Sequence, residues 1–512
     1  MRVHRDLRPA AALIAALAAL VVACSRDGGS AVTSTATAPP SATAAVAATA
    51  AAPSPTAATA TATARPRSDG TPLAIALAFD EARAMADVRE LARPEYMGRH
   101  TGTPGELLGA RYLADAFAAA GLLPGGDGDG YLQAFPVDIQ ELGAVPVLEL
   151  TNAAGVRRSL RLRDDFRPIV TGPAGAGDVT GDVVFGGTGA DLDTLALEGK
   201  LLLLVPRGPL LDIVGRARRA GALGVLITTG RPDLLKAEAR TPDADAIPMV
   251  ELSQAGAATL FEGSGHSREE LNDLIVRGRP LPTFPLAWRA RLAVDLAPPA
   301  TVDAHNVIAY LPAATATERA IVIGAHYEEI GPDPDGVVFP AANDNASGTA
   351  VIVELARRLA EQAFAPTVNV VFVGWSGHEE GLFGSAHYVD HPPFPVDETA
   401  LYINVDTVGQ GGGASLSVNG TARDAFEAAR ATLAGQSEAF PLEFGDRSGG
   451  GSDDIHFARA GVPTLALAWS GVFTGTPMIH TPADTAEGVD PAKVRVTGVL
   501  ATLIAVLAAS GG

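Results

Sequence analysis

The chain has 512 residues, 47% hydrophobic and 19% charged, enough for two or three domains and a sizeable core. A formal charge of −20 argues against nucleic acid as a partner, because phosphate binding wants a basic face, and fits an acidic protein outside the cell. The single cysteine, Cys24, excludes an intramolecular disulfide.

Residues 1–24 carry Arg2, Arg5 and Arg8, an apolar run from Ala10 to Val22, and then Ala23-Cys24. This is the pattern of a secretory signal, and Leu20-Val21-Val22-Ala23-Cys24 looks like a bacterial lipobox with Cys24 as the lipidated residue. The expected location is therefore the cell envelope or outside, with membrane contact only through an N-terminal lipid anchor. Residues 25–72 are almost entirely Ala, Thr, Ser and Pro, which cannot bury enough apolar surface to offset ordering entropy, so they read as a disordered tether.

From 73 to 140 the pattern turns helical, with apolar residues at helical spacing over 74–92 and 106–120. The turn-rich loop 98–105 lies between them, and its lone His100 reads as a solvated side chain. From 141 to 299 short strands dominate, at 182–185, 200–205, 223–227 and 247–250, with a helix over 211–220. No nucleophile or metal-ligand cluster appears there, so the stretch reads as a non-catalytic insert. From 300 to 512 strands alternate with helices, the pattern of a mixed, mostly parallel α/β sheet. Strands are expected at 321–325, 368–373, 401–405 and 463–468, and helices at 345–360, 422–434 and 491–509.

At or just past those strand ends sit His326, Asp344, Glu379 and Asp406, with His480 in a later loop. In open α/β sheets this is where chemistry collects. Three carboxylates and two imidazoles suit two zinc ions, one carboxylate bridging them. Asp344 suits the bridge, standing in Asn343-Asp344-Asn345 at a helix start. The other histidines invite plainer readings: His387, His391 and His456 as structural or solvated, and His305 as strand packing.

The motifs G-A-H-Y (324–327), N-D-N-A-S-G (343–348), E-x-G-L-x-G-S (379–385), N-V-D-T-V-G (404–409) and H-T-P-A-D-T (480–485) resemble, in order and context, those of the co-catalytic di-zinc metallopeptidases. That family includes bacterial leucyl aminopeptidases, aminopeptidase Y and glutamate carboxypeptidase. The runs G-R-H-T-G-T-P-G (98–105) and G-S-D-D-x-x-F (451–457) look like it too, and the insert is similar to a protease-associated domain through 199–208 and 218–227. The resemblance implies a three-layer α/β/α sandwich interrupted by a small β-rich α+β insert. It also implies two Zn2+, one held by His326 and Asp406 and the other by Glu379 and His480, with Asp344 between them.

Two positions depart from the family pattern. The family's general base is a glutamate directly before the metal glutamate, and the gapless register places His378 there. A shifted register, with Glu379 as base and Glu380 as ligand, needs an insertion and a deletion around the pair. A neutral imidazole accepts a proton near neutrality, so His378 is the expected base. The family also has an aspartate two residues after the metal histidine to orient its ring, and Glu328 stands at that position. The expected activity is hydrolysis of peptides or small amides, aminopeptidase favoured, by a monomer or dimer. A non-enzymatic binding protein on this scaffold, and a zinc amidohydrolase or glutaminyl cyclase, stay open as alternatives.

Overall fold

A computed structural model describes residues 70–510 apart from 232, 233, 235, 237, 238, 447–450 and 473–477. The signal-like segment, Cys24 and the tether up to residue 69 lie outside the described residues. The helical stretch expected over 74–92 is two helices, Pro72–Leu77 and Glu81–Leu91. Asp80 breaks it, because its carboxylate accepts the Arg83 amide (3.1 Å) and so caps the second helix. The next helix, Pro104–Ala119, begins at the Thr103 cap with proline in its first turn.

Strands β1 (Leu123–Pro124) and β2 (Leu132–Ile139) come next, and the chain then leaves for a second sheet. That sheet holds β3 (Val147–Asn152), β4 (Arg157–Leu160), β5 (Phe166–Ile169), β6 (Gly172–Gly175), β7 (Gly177–Phe185), β8 (Lys200–Leu204), β9 (Gly224–Thr228), β10 (Pro242–Leu252) and β11 (Phe284–Val294). Its order is β4-β3-β11-β7-β8-β9-β10-β5, with β6 on β10, and β7 to β10 are mutually parallel. The chain returns through β12 (Ala300–Leu311), which pairs antiparallel with β2 from Ala300↔Ile139 onward. The whole insert therefore hangs from one antiparallel strand pair.

The remaining strands are β13 (Ala320–His326), β14 (Asn369–Trp375), β15 (Thr399–Val405), β16 (Leu416–Gly420), β17 (Leu442–Gly445) and β18 (Thr464–Trp469). The first sheet runs β1-β12-β14-β13-β15-β18-β16-β17, with β2 also on β12. Its centre, β14, β13, β15 and β18, is parallel; β12 and β16 join that centre antiparallel, and β17 pairs parallel with β16. Alternate residues serve opposite faces, as strand geometry requires. Ile321, Ile323, Val370 and Phe372 join one core under the helices Pro72–Leu77, Glu81–Leu91, Ser347–Glu361 and Pro491–Ala509. Val322, Val371, Val373 and Trp375 join the other, against Tyr388 and Phe457 of the short helices Phe383–Asp390 and Asp454–Arg459. Trp375 is buried core, and its indole N–H donates to the Tyr402 hydroxyl (2.9 Å).

Pro491–Ala509 is long and apolar enough to cross a membrane, but it is mostly buried inside the protein. Its apolar sequence reflects burial on nearly every side rather than contact with lipid.

Candidate metal centre

Parallel strands bring the site together. β13 and β14 run in register to His326↔Trp375, so both end at the same edge of the sheet. His326 closes β13, Asp406 follows β15 by one residue, and the β14 strand leads through Ser376-Gly377 into the one-turn helix His378–Gly381. Gly377 makes that turn with φ +67°, a left-handed conformation costly for most residues.

Asp344 sits just ahead of the helix Ser347–Glu361, on a segment pinned from two sides. The Asp484 carboxylate accepts the amides of Asn343 (2.9 Å) and Asp344 (3.0 Å). The Asn345 side chain donates to the Val405 carbonyl (2.9 Å) and accepts from the amides of Gly348 (2.9 Å) and Thr407 (3.2 Å). Gly348 permits this approach, since a Cβ there would lie 2.3 Å from the Val405 carbonyl oxygen.

The five proposed ligands converge. Asp344 Oδ1 lies 3.2 Å from His326 Nε2 and its Oδ2 lies 3.3 Å from His480 Nε2, so one carboxylate faces both imidazoles. Asp406 Oδ1 is 3.4 Å from His326 Nε2, and Glu379 Oε1 is 3.1 Å from His480 Nε2. Ser452 Oγ donates to the second Asp406 oxygen (2.7 Å) and fixes that carboxylate. Burial pushes the Asp344 carboxyl up, but His326 and His480 outweigh it and hold it well below the usual range. Burial likewise lowers His326 and His480, but the surrounding carboxylates outweigh it and raise both. A buried focus of carboxylates that draws in positive charge this strongly is the donor set for divalent cations, and these residues fit them.

His378 stacks on His326, ring centroids 3.7 Å apart and planes 9° from parallel. His378 brings a ring nitrogen within 4.8 Å of ligand atoms of His326 and Asp406. A metal ion, however, lies near the plane of each imidazole it binds, so the parallel stack suits only one of the two rings to a given ion. His378 Nδ1 is 2.8 Å from Asp453 Oδ2. Burial raises the Asp453 carboxyl, but His378 outweighs it and holds the pKa below the usual range. An ionised carboxylate only accepts, so Nδ1 carries a proton. Burial and His326 lower the His378 pKa, but Asp453 and Glu379 outweigh them and raise it above the ordinary imidazole value, and Nε2 offers a lone pair once the ring is neutral.

Two sequence expectations, for Glu328 and His100, are corrected here. The group on His326 Nδ1 is the Glu328 backbone carbonyl (3.1 Å), not the Glu328 carboxylate. That carboxylate is turned to the amides of His378 (2.7 Å) and Glu379 (3.2 Å), where it holds the one-turn helix. Glu380, the alternative ligand, points away from the centre and accepts from Thr101 Oγ1 (2.6 Å). His100 is not solvated: it is 5% exposed, with Nε2 3.0 Å from Glu141 Oε1 and Nδ1 3.4 Å from Glu380 Oε1.

Sequence reasoning missed Glu329, which joins Asp344, Glu379 and His480 with one ligand atom from each within 4.8 Å of the others. A second acid three residues past a metal histidine was the only signal for it. It also missed the insert's part in the site. Lys236 N donates to the His480 carbonyl (2.9 Å), and His480 Nδ1 faces the Lys236 carbonyl (3.3 Å). A cavity of about 240 Å³ opens at this junction, lined by Leu142, Leu162 and Val170 of the insert and by His100 and Ile330 of the first sheet's side.

Residues 306–504 match Peptidase family M28. All five converging side chains fall inside the matched residues. Aminopeptidase YwaD of Bacillus subtilis (strain 168) is 31% identical over 194 residues, 36% of this chain and 39% of the relative. A probable leucine aminopeptidase of Trichophyton verrucosum is 29% identical over 185 residues, 35% of this chain and 51% of the relative. The matched region thus spans about half or less of the length of these relatives. Among solved structures, an aminopeptidase from Aneurinibacillus sp. strain AM-1 superposes with a TM-score of 0.62 at 22% identity, covering 86% of this chain and 97% of that one. A zinc aminopeptidase from Bacillus subtilis gives 0.60 at 23% identity, covering 85% and 96%. The mixed α/β fold is similar to that of these two aminopeptidases.

Proposed function

We propose that this protein is a metal-dependent exopeptidase, an aminopeptidase by preference, acting on peptides or small amides. The observation that carries the reading is Asp344, whose two oxygens face His326 and His480 separately. His326 and Asp406 would hold one divalent cation, Glu379 and His480 the other, and Asp344 would serve both. Zinc is the metal named for the Bacillus subtilis structure. When bound, such a cation pair polarises the scissile carbonyl and lowers the pKa of water.

The chain's own residues do the rest. His378 Nε2 takes the proton from the attacking water and returns it to the leaving amine, while Asp453 holds the ring by Nδ1. Ser385 Oγ donates to the other Asp453 oxygen and fixes that carboxylate in turn. The cavity at the insert junction takes a substrate side chain against Leu142, Leu162 and Val170. The fold is a three-layer α/β/α sandwich, and the second sheet is a protease-associated domain that borders the substrate. Export as a lipoprotein through Cys24, in a monomer or dimer that binds no nucleic acid, completes the proposal.

The test is release of the N-terminal residue from aminoacyl-anilides and dipeptides, with and without chelator. Chelator-sensitive release supports the reading. Absence of turnover on the whole panel by protein shown to hold its metals favours the binding protein, which the histidine at the base position makes the specific rival.

A further inference from the structure

Glu329 is 1% exposed, yet the centre described so far does not use it. Its Oε2 accepts the adjacent Ile330 amide (2.7 Å). Its Oε1 accepts no hydrogen bond among the described residues. A buried carboxylate oxygen left in that state costs about 1–3 kcal/mol or more and calls for a partner.

Nearby cationic side chains are committed elsewhere. Lys236 Nζ is shared among the carbonyls of Ile330 (2.8 Å), Pro332 (3.2 Å) and Gly331 (3.3 Å). The Arg99 guanidinium donates to the carbonyls of Tyr327, Leu91, Pro340 and Ala341. The orphaned oxygen faces His480 Nε2 at 3.5 Å, the same nitrogen that Asp344 Oδ2 approaches at 3.3 Å and Glu379 Oε1 at 3.1 Å. One ring nitrogen carries at most one proton, so three carboxylate oxygens around it cannot all be satisfied by hydrogen bonding. A cation at their focus satisfies all three together with the imidazole.

We propose that Glu329 is a ligand of the second cation, and that the pocket of Glu329, Asp344, Glu379 and His480 takes a harder divalent ion of the manganese class. The inference rests on the two-metal reading above and narrows it. The first pocket offers His326, Asp406 and the shared Asp344: three ligands with room for water, as in catalytic zinc sites. The second offers four, three of them carboxylates, and carboxylate oxygen suits manganese and magnesium better than imidazole does. Counting Glu329, the centre holds four carboxylates, which balance two dications; without it three remain and the pair keeps a net positive charge. The metals are thus unlike by design of the ligand shells.

The experiment uses chelated full-length protein given one equivalent of zinc and then excess manganese, followed by desalting and elemental analysis. Wild type is expected to keep one zinc and one manganese. Glu329→Gln, matched in shape, is expected to keep its zinc and bind manganese at least 10-fold more weakly by calorimetric titration, with an unchanged circular dichroism spectrum. Wild type that keeps zinc alone or binds a second zinc in place of manganese overturns the proposal without needing any variant. Glu329→Gln that retains manganese like wild type, or loses zinc instead, overturns it too. Retention of neither metal by wild type overturns the metal centre itself, and with it the proposed function.

Discussion

Asp453 Oδ2 lies 2.8 Å from His378 Nδ1, and that contact decides which nitrogen of the imidazole is free for chemistry. With Nδ1–H held, the free lone pair is at Nε2, and the stack on His326 places that ring beside the ligands. Replacing His378 by alanine should lower kcat by about 10²–10⁴-fold with metal content unchanged, the usual cost of losing a general base. His378→Glu should recover much of that loss, since a carboxylate is also a competent base. Asp453→Asn leaves the shape intact but offers an amide N–H₂ or a weaker acceptor, so it should depress kcat more than it raises KM. Equal kcat in wild type and His378→Ala would remove the imidazole from the mechanism.

Arg99 is fully buried, and burial pushes its guanidinium pKa down from the ordinary value. It stays in place because it donates to carbonyls on both sides of the site, Ala341 at 2.8 Å and Pro340 at 3.2 Å among them. The Tyr327 carbonyl it also holds follows His326 directly, and Ala341 precedes the Asp344 segment, so one side chain ties two ligand-bearing loops. Arg99→Met should destabilise the fold by about 3–5 kcal/mol, as for a broken buried polar network. Arg99→Lys should rescue little of it, because a single ammonium cannot reproduce the planar fork. Urea unfolding of the three proteins measures both.

The parts of the fold that were legible in the sequence are those with a strong period or a strong motif. The apolar run from Val368 to Val373 gave β14 to within two residues, because burial on both faces leaves an uninterrupted β-branched stretch. The break at Asp80 was obscured because alanines on either side sustain a helical pattern that only the cap interrupts. The ligand set was legible from the motifs, and the structure places those five side chains together. Glu329 was not, because one extra acid in a loop has no period and only the folded chain shows its oxygen without a donor. His100 was misread for a related reason: its burial comes from Glu141 and Glu380, which are distant in sequence.

Glu106 joins the helix Pro104–Ala119 to two strand ends, accepting from the Tyr327 hydroxyl (2.7 Å), Ser376 Oγ (3.0 Å) and the His305 amide (2.9 Å). The His305 ring lies 3.4 Å from its other oxygen, and that contact raises the imidazole pKa above 6.5, more than burial lowers it. A histidine raised in the folded state contributes stability that is fully present below its unfolded pKa and is lost as pH rises through the folded one. Stability measured against His305→Gln should therefore show wild type favoured near pH 6 and the advantage gone by about pH 8. The difference should not exceed about 1 kcal/mol, since the ring is partly solvated. An advantage that grows with pH would contradict this assignment.

The last prediction concerns the insert, which contributes no ligand among the described residues but touches two: Arg240 donates to the Glu379 carbonyl (3.3 Å), and Lys236 meets His480. Lys236 and His480 are joined by backbone and ring, the amide to the His480 carbonyl at 2.9 Å and the ring nitrogen to the Lys236 carbonyl at 3.3 Å. Metal-bound imidazoles depend on such an acceptor for orientation, and losing it typically costs about 10–100-fold in affinity. The Lys236 side chain does a different job, gathering the carbonyls of residues 330–332 beside Glu329. Lys236→Ala keeps the backbone pairing and removes only that clasp, so it should weaken metal binding by less than 10-fold. Lys236→Pro removes the amide donor to the His480 carbonyl as well but keeps the carbonyl that faces the ring, so it should weaken metal binding more than Lys236→Ala while staying at or below about 10-fold, with the second cation lost first. Titration of both variants with zinc and manganese separates the two contributions. Equal affinities in all three proteins would mean that His480 is held by residues 306–504 alone and that the insert is a neighbour without influence on the centre.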